Sequence, residues 1–210
     1  MGGRRGQDRS AGLPVIVLGA GRGRRLGGPK LLAMHGGRGF LQRILDRCAE
    51  TASPVTLTLA PETRAAAEAL LRQWNIRDAW PQPALVETDP AGDMLSSLQA
   101  ALRAAPHPPG AWVWPVDAPF ISAAGWRAAA EEAAADPERV LLLRSGGRGG
   151  HPLWLPASLH PAVLSGRWDN GLAGLIQGLA PGQVRRLELP GEQLRDVNTP
   201  EDLPPLKPAE

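Results

Sequence analysis

The sequence predicts an α/β fold, doubly wound around a mostly parallel sheet. Three observations carry the prediction. Short apolar runs alternate with stretches of helical periodicity along most of the chain. Several runs, "LPVIVL" and "AWVWPV" among them, are apolar throughout, as strands buried on both faces should be. No internal repeat, low-complexity block or linker interrupts the 210 residues, so 13–206 read as one domain, long enough to bury a full core.

Taken in order, residues 13–18 form the first strand. "FLQRILDRCAE" (40–50) has helical spacing. "PVTLTLAP" (54–61) reads as a strand and "ETRAAAEALLRQW" (62–74) as a helix. A weak strand at 84–87 precedes an Ala/Leu-rich helix over 94–105. Residues 111–116 are a strand, followed by a helix over 123–135 whose N-cap is assigned to Ser122. Residues 139–145 and 151–156 are extended, 171–179 helical, and 184–190 the last strand.

Composition removes several classes of function. No apolar run approaches the length of a membrane span. The basic start, "MGGRRGQDRSAG", is not followed by a signal core, so residues 1–12 are expected to be a disordered tail. A single cysteine, Cys48, excludes an internal disulfide and a thiolate zinc cluster and points to the cytoplasm. The net charge of +2 argues against a broad nucleic-acid surface. Of the 23 basic residues only Lys30 and Lys207 are lysines. A flexible ammonium approaches a phosphate as a compact point charge, which a forked guanidinium does not, so Lys30 is singled out.

In doubly wound sheets ligands bind beyond the carboxyl ends of the strands. Four segments there carry unusual chemistry, beginning with "VLGAGRGRRLGGPK" (17–30). A dinucleotide fingerprint fails in both registers, at Arg24 and at Leu26. A P-loop fails because Pro29 stands where its lysine belongs. What remains is a glycine turn whose N–H groups can nest an anion, with Arg22, Arg24, Arg25 and Lys30 around it. That chemistry suits a nucleoside triphosphate.

Asp117 follows an apolar strand directly, where a carboxylate is costly unless paired or metal-bound. It is the first candidate ligand for Mg²⁺, which takes one or two carboxylates and fills the rest of its shell with phosphates and water. Asp196 and Asn198, alternating in "LRDVNTPEDL", could face one site. The same segment also reads as a helix start at Thr199–Pro200. Ser96 and Ser97, near a helix start, are neutral donors for a base edge or phosphate. His151 lies in a loop flanked by four glycines.

These segments together resemble the MobA-like nucleotidyltransferases, which include the molybdenum cofactor cytidylyl- and guanylyltransferases. "LGAGRGRRLGGPK" is similar to their opening signature at Leu18, Gly19, Ala20, Gly21, Gly23, Arg25, Leu26, Gly27 and Lys30. Gly19 departs from the usual alanine, and Leu26 from methionine. Asp117-Ala118-Pro119 matches the family's Asp-x-Pro, and "GDMLSSL", from Gly92, a segment of the cytidylyltransferase branch. Gly150-His151-Pro152 resembles its Gly-His-Pro, and residues 196–203 its closing motif.

The resemblance implies a nucleotide-diphospho-sugar transferase type of fold and transfer of an NMP from an NTP to a phosphorylated acceptor, molybdopterin or a sugar phosphate. It places the phosphates on Gly19 to Gly23, Arg25 and Lys30, and the nucleotide also against Leu18, Gly92, Ser96 and Ser97. It places Mg²⁺ on Asp117 with Asp196 or Asn198, and the acceptor at His151. Ala20, the serine pair and Gly-His-Pro lean towards CTP, while "DAPF" and "VNTPED" are nearer the GTP branch. A molybdoenzyme or its chaperone would be a transient partner. The rival expectations are a non-catalytic nucleotide-binding accessory protein and a nucleic-acid binder acting through the basic tail.

Overall fold

The computed structural model describes residues 12–74, 81–105, 107–191 and 193–205. Most of the expected tail therefore lies outside the described residues, as does Lys207. Gly12, its last residue, donates its backbone N–H to the Ala52 carbonyl at 3.0 Å.

The chain runs β1 (Val15–Leu18), β2 (Met34–His35), β3 (Arg38–Gly39), α1 (Phe40–Glu50), β4 (Val55–Leu59), α2 (Arg64–Gln73), β5 (Ala84–Glu87) and α3 (Met94–Ala104). It continues with β6 (Gly110–Pro115), α4 (Ala123–Ala135), β7 (Val140–Ser145), β8 (Arg148–Pro156), α5 (His160–Ser165), α6 (Gly171–Gln177) and β9 (Val184–Leu189). Seven strands form one sheet in the order β5-β4-β1-β6-β8-β7-β9, and β2 and β3 pair in a separate ribbon. Within the sheet only β8 runs antiparallel to its neighbours.

The four residues of β1, all buried, show why the sheet is doubly wound. Alternate strand residues face opposite sides. Val15 and Val17 pack with Phe40, Ile44 and Leu45 of α1, Ala67 of α2 and Trp126 of α4. Ile16 and Leu18 pack with Leu98 of α3 and Val163 of α5, with Leu172 and Ile176 of α6 against that cluster. Aromatic mass is concentrated on the first face. Trp112, Trp114, Trp126 and Trp154 are wholly buried, their rings 4.9 to 5.8 Å apart in tilted or edge-on pairs.

Three departures from the sequence reading bear on the site. β8 begins at Arg148 rather than 151, so His151 stands in a strand and not in a loop. The cause is that Gly146 and Gly147, at φ +59° and +75°, make the hairpin turn themselves, while Gly149 and Gly150 pair with Arg144 and Leu143. Residues 194–198 form no strand; that segment crosses over β8, and a Cβ on Gly150 would lie 2.7 Å from that of Leu194. Helix α5 and the β2–β3 ribbon were not anticipated. Among the described residues no helix is long and apolar enough to cross a membrane.

Candidate active site

The first βα loop builds the floor of a cavity of about 300 Å³ at the carboxyl edge of β1 and β6. Its shape depends on Gly23. At φ +56° its carbonyl accepts from the N–H groups of Leu26 and Gly28, at 2.8 and 3.3 Å, and a Cβ would fall 2.0 Å from the Gly28 carbonyl oxygen. Leu18, Ala20, Gly21, Gly23, Arg25 and Lys30 line this cavity, joined by Arg24. Arg22, Arg24 and Arg25 are exposed, and none forms an ion pair among the described residues.

Gly19 is placed differently. Its N–H donates to the Thr58 carbonyl at 2.9 Å, and it does not line the cavity. A Cβ there would meet Leu31 Cδ1 at 2.8 Å and the Thr58 carbonyl at 2.9 Å. That crowding accounts for glycine where the resembling family carries alanine.

Opposite the loop, β6 ends and the chain turns at Asp117. Trp114 holds the turn from beneath, its Nε1–H donating to the Ala118 carbonyl at 2.9 Å. The Val197 N–H donates to the Asp117 carbonyl at 2.8 Å, which ties the closing segment to the same turn. Lys30 Nζ then donates to Asp117 Oδ2 at 2.6 Å and to Asn198 Oδ1 at 2.7 Å. Three segments distant in sequence thus meet at one ammonium, with Lys30 and Asp117 only 14% and 22% exposed.

Two oxygens converging on one cation define a cation position. Among the described residues no group of three or more His, Cys, Asp or Glu forms a metal cage. A carboxylate and an amide oxygen suit a hard divalent ion that takes its remaining ligands from phosphates and water, so the residues present fit such an ion.

Gly92 and Ser97 line the same cavity, and the Ser97 hydroxyl lies 3.4 Å from that of Thr88. Ser96 does not: its hydroxyl donates to the Asp93 carbonyl, and its N–H to the Asp93 carboxylate that caps α3. Asp196 and Asn198 diverge. Asn198 faces the first cavity, whereas Asp196 and His151 line a second, of about 610 Å³, between the sheet, α3 and α6. Desolvation holds the His151 imidazole below its ordinary value, with Asp196 and then Asp117 opposing. Desolvation pushes the Asp196 carboxyl above the usual carboxylate range, with His151 opposing and Asp117 adding to the rise.

The sequence reading includes Asp93 and Met94 in "GDMLSSL" but gives them no role, and they line both cavities; it gives none to Leu172 and Ile176, which line the second. The aspartate directly before "MLSSL" was a readable signal for the first pair. The α6 residues carried none, since leucine and isoleucine at helical spacing read as core.

A parallel sheet reversed at one inner strand, with a glycine turn facing a strand-end aspartate, is the architecture of the nucleotide-diphospho-sugar transferase fold. The Rv0371c protein of Mycobacterium tuberculosis H37Rv superimposes with a TM-score of 0.74 at 26% identity, covering 92% of this chain and 96% of that one. The same protein has been solved in complex with manganese (TM-score 0.68, 25% identity, 91% and 95% covered). The molybdenum cofactor guanylyltransferase of Pseudomonas syringae pv. syringae is 33% identical over 110 residues, 50% of this chain and 53% of the relative. The chain spans about half the length of the curated relatives it matches. Residues 15–185 match the model of the MobA-like NTP transferase domain, and the chain belongs to that family.

Proposed function

We propose that this protein transfers a nucleoside monophosphate from an NTP to a phosphorylated acceptor in the cytoplasm, releasing pyrophosphate. The observation that carries the reading is the Lys30 ammonium held between Asp117 and Asn198 across from the glycine turn. An acceptor phosphate oxygen attacks the α-phosphorus in line. The new P–O–P bond forms as the bond to the bridging α,β-oxygen breaks, and the electron pair departs with pyrophosphate. The attacking phosphate is already ionised at neutral pH, so no general base is required.

The protein's work is positioning and charge neutralisation. The backbone of Gly21 to Gly23 cradles the phosphates, and Arg25 and Lys30 face the leaving pyrophosphate. Asp117 and Asn198 would hold Mg²⁺, which when bound offsets phosphate charge. Ser97 and Gly92 wall the nucleoside, and His151 meets the acceptor. Ala20 and Ser97 favour CTP, the relatives' name favours GTP, and it makes the molybdenum cofactor the first acceptor to try.

Thermal shift with each of the four NTPs, with and without Mg²⁺, tests binding and base choice together; CTP or GTP should raise the melting temperature only with the metal. Asp117→Ala should retain its fold and lose at least about a hundredfold in pyrophosphate release. Near-wild-type release from that variant would overturn the assignment. Stabilisation by nucleotide without product from any acceptor would mark a binding protein instead.

A further inference from the structure

The four wholly buried indoles share one cluster, yet their N–H groups go to different places. Trp126 donates through Nε1 to Thr51 Oγ1 at 3.0 Å, and Trp154 to the Pro137 carbonyl at 2.9 Å. Neither acceptor lines a cavity of the site. The Trp112 Nε1–H finds no hydrogen-bond partner among the described residues. Trp114 alone of the four reaches the turn that carries Asp117, at the Ala118 carbonyl 2.9 Å away. That turn is also tied by the Ala118 N–H to the Pro115 carbonyl at 3.1 Å and by the Val197 N–H to the Asp117 carbonyl at 2.8 Å. The next residue, Pro119, has no N–H to add.

We propose that Trp114 is a positioning residue for the divalent ion: its N–H fixes the peptide after Asp117, and thereby the direction in which Asp117 presents its carboxylate to a metal shared with Asn198. The inference rests on the reading of Asp117 as a metal ligand and adds a residue that lines neither cavity. The donor is rigid. Trp114 is in register against Val17 of β1, and its ring lies 4.9 Å from that of Trp126. Its acceptor belongs to a buried residue, so without the indole the Ala118 carbonyl is left in the core with no donor. The peptide then turns to find one and carries Asp117 with it. Partners of this kind, one bond behind the ligand, hold it where the ion needs it, and their loss typically weakens metal binding by about tenfold or more.

The test is titration of the full-length protein with Mn²⁺ alone, followed by the electron paramagnetic resonance signal of the unbound ion. Trp114→Phe should bind Mn²⁺ about tenfold more weakly than wild type. Trp126→Phe removes an indole and a hydrogen bond from the same cluster without touching the turn. It should melt at a lower temperature and stay within about twofold of wild type in Mn²⁺ affinity. Should Trp114→Phe fail to fold, replacing Trp114 alone by benzothienylalanine, which keeps the ring's shape and puts sulfur where the N–H was, decides in its place with the same expectation. Unchanged Mn²⁺ affinity in the folded Trp114 variant, or an equal loss in Trp126→Phe, overturns the inference. Asp117→Ala separates this from failure of the underlying reading: if that variant binds Mn²⁺ as wild type does, the metal does not sit on Asp117; if it loses binding while the Trp114 variant keeps it, only the role of Trp114 falls.

Discussion

Lys30 has two tasks that exclude each other in time. In the structure it neutralises Asp117 and donates to Asn198, whereas the proposed reaction needs it on the phosphates. Its unbranched stem permits the exchange, which a rigid guanidinium fork would hinder. In the proposed reaction the ammonium and a divalent ion compete for one carboxylate oxygen. Lys30→Met should accordingly bind Mn²⁺ about tenfold tighter than wild type without nucleotide, as read by the loss of the free-ion electron paramagnetic resonance signal. Equal or weaker Mn²⁺ binding would show that the two cations do not share a position. Asn198 sharpens the competition, because an amide oxygen gives an ion less than a second carboxylate would.

The helices α3 and α5 meet near two histidines, one buried and one half-buried. His107 follows α3 and sits 3.4 Å from the Ala101 carbonyl through Nε2, and His160 opens α5 with an enclosed Nε2 that has no hydrogen-bond partner among the described residues. Burial holds both imidazoles below the ordinary 6.5; for His160 the neighbouring His107 adds to the depression. A histidine depressed in the fold stays neutral there, while its unfolded counterpart gains a proton. Stability from this pair is therefore complete above about pH 6.5 and declines as pH falls below it. The urea midpoint should drop between pH 7.5 and 5.5, and His107→Gln should flatten part of that drop; an unchanged slope in the variant would refute the account. Elements differ in how openly the sequence announces them. β1 and β6 are plain because their residues are apolar on both faces, and β4 because valine, threonine and leucine alternate through it. α5 was hidden because six residues, with Pro161 second, are too few to display a period. The start of β8 was hidden because glycine carries no hydrophobic signal, and only the paired partners of Gly149 and Gly150 reveal it.

The whole molecule carries a net charge of +2, yet its charges are sorted. Three exposed arginines crowd the glycine turn, and carboxylates rim the neighbouring cavity. Attraction of an NTP to exposed guanidinium groups is screened by salt over a Debye length of about 10 Å at 0.1 M. Raising NaCl from 50 to 500 mM should weaken NTP affinity by about tenfold, measured by titration; an affinity indifferent to salt would argue that these arginines do not face the phosphates. The same sorting explains what could be read from letters alone. Arg25, Lys30 and Asp117 were candidates because motif spacing exposes them. The second cavity was not, because its wall comes from six elements that become neighbours only when the sheet is assembled. Asp93 and Met94 belong to the walls of both cavities at once. With the proposed nucleotide in one and the proposed acceptor in the other, any strain or order that one imposes on these two side chains is felt by the other, and thermodynamic reciprocity makes the effect symmetric: whatever factor the nucleotide applies to acceptor affinity, the acceptor returns to the nucleotide.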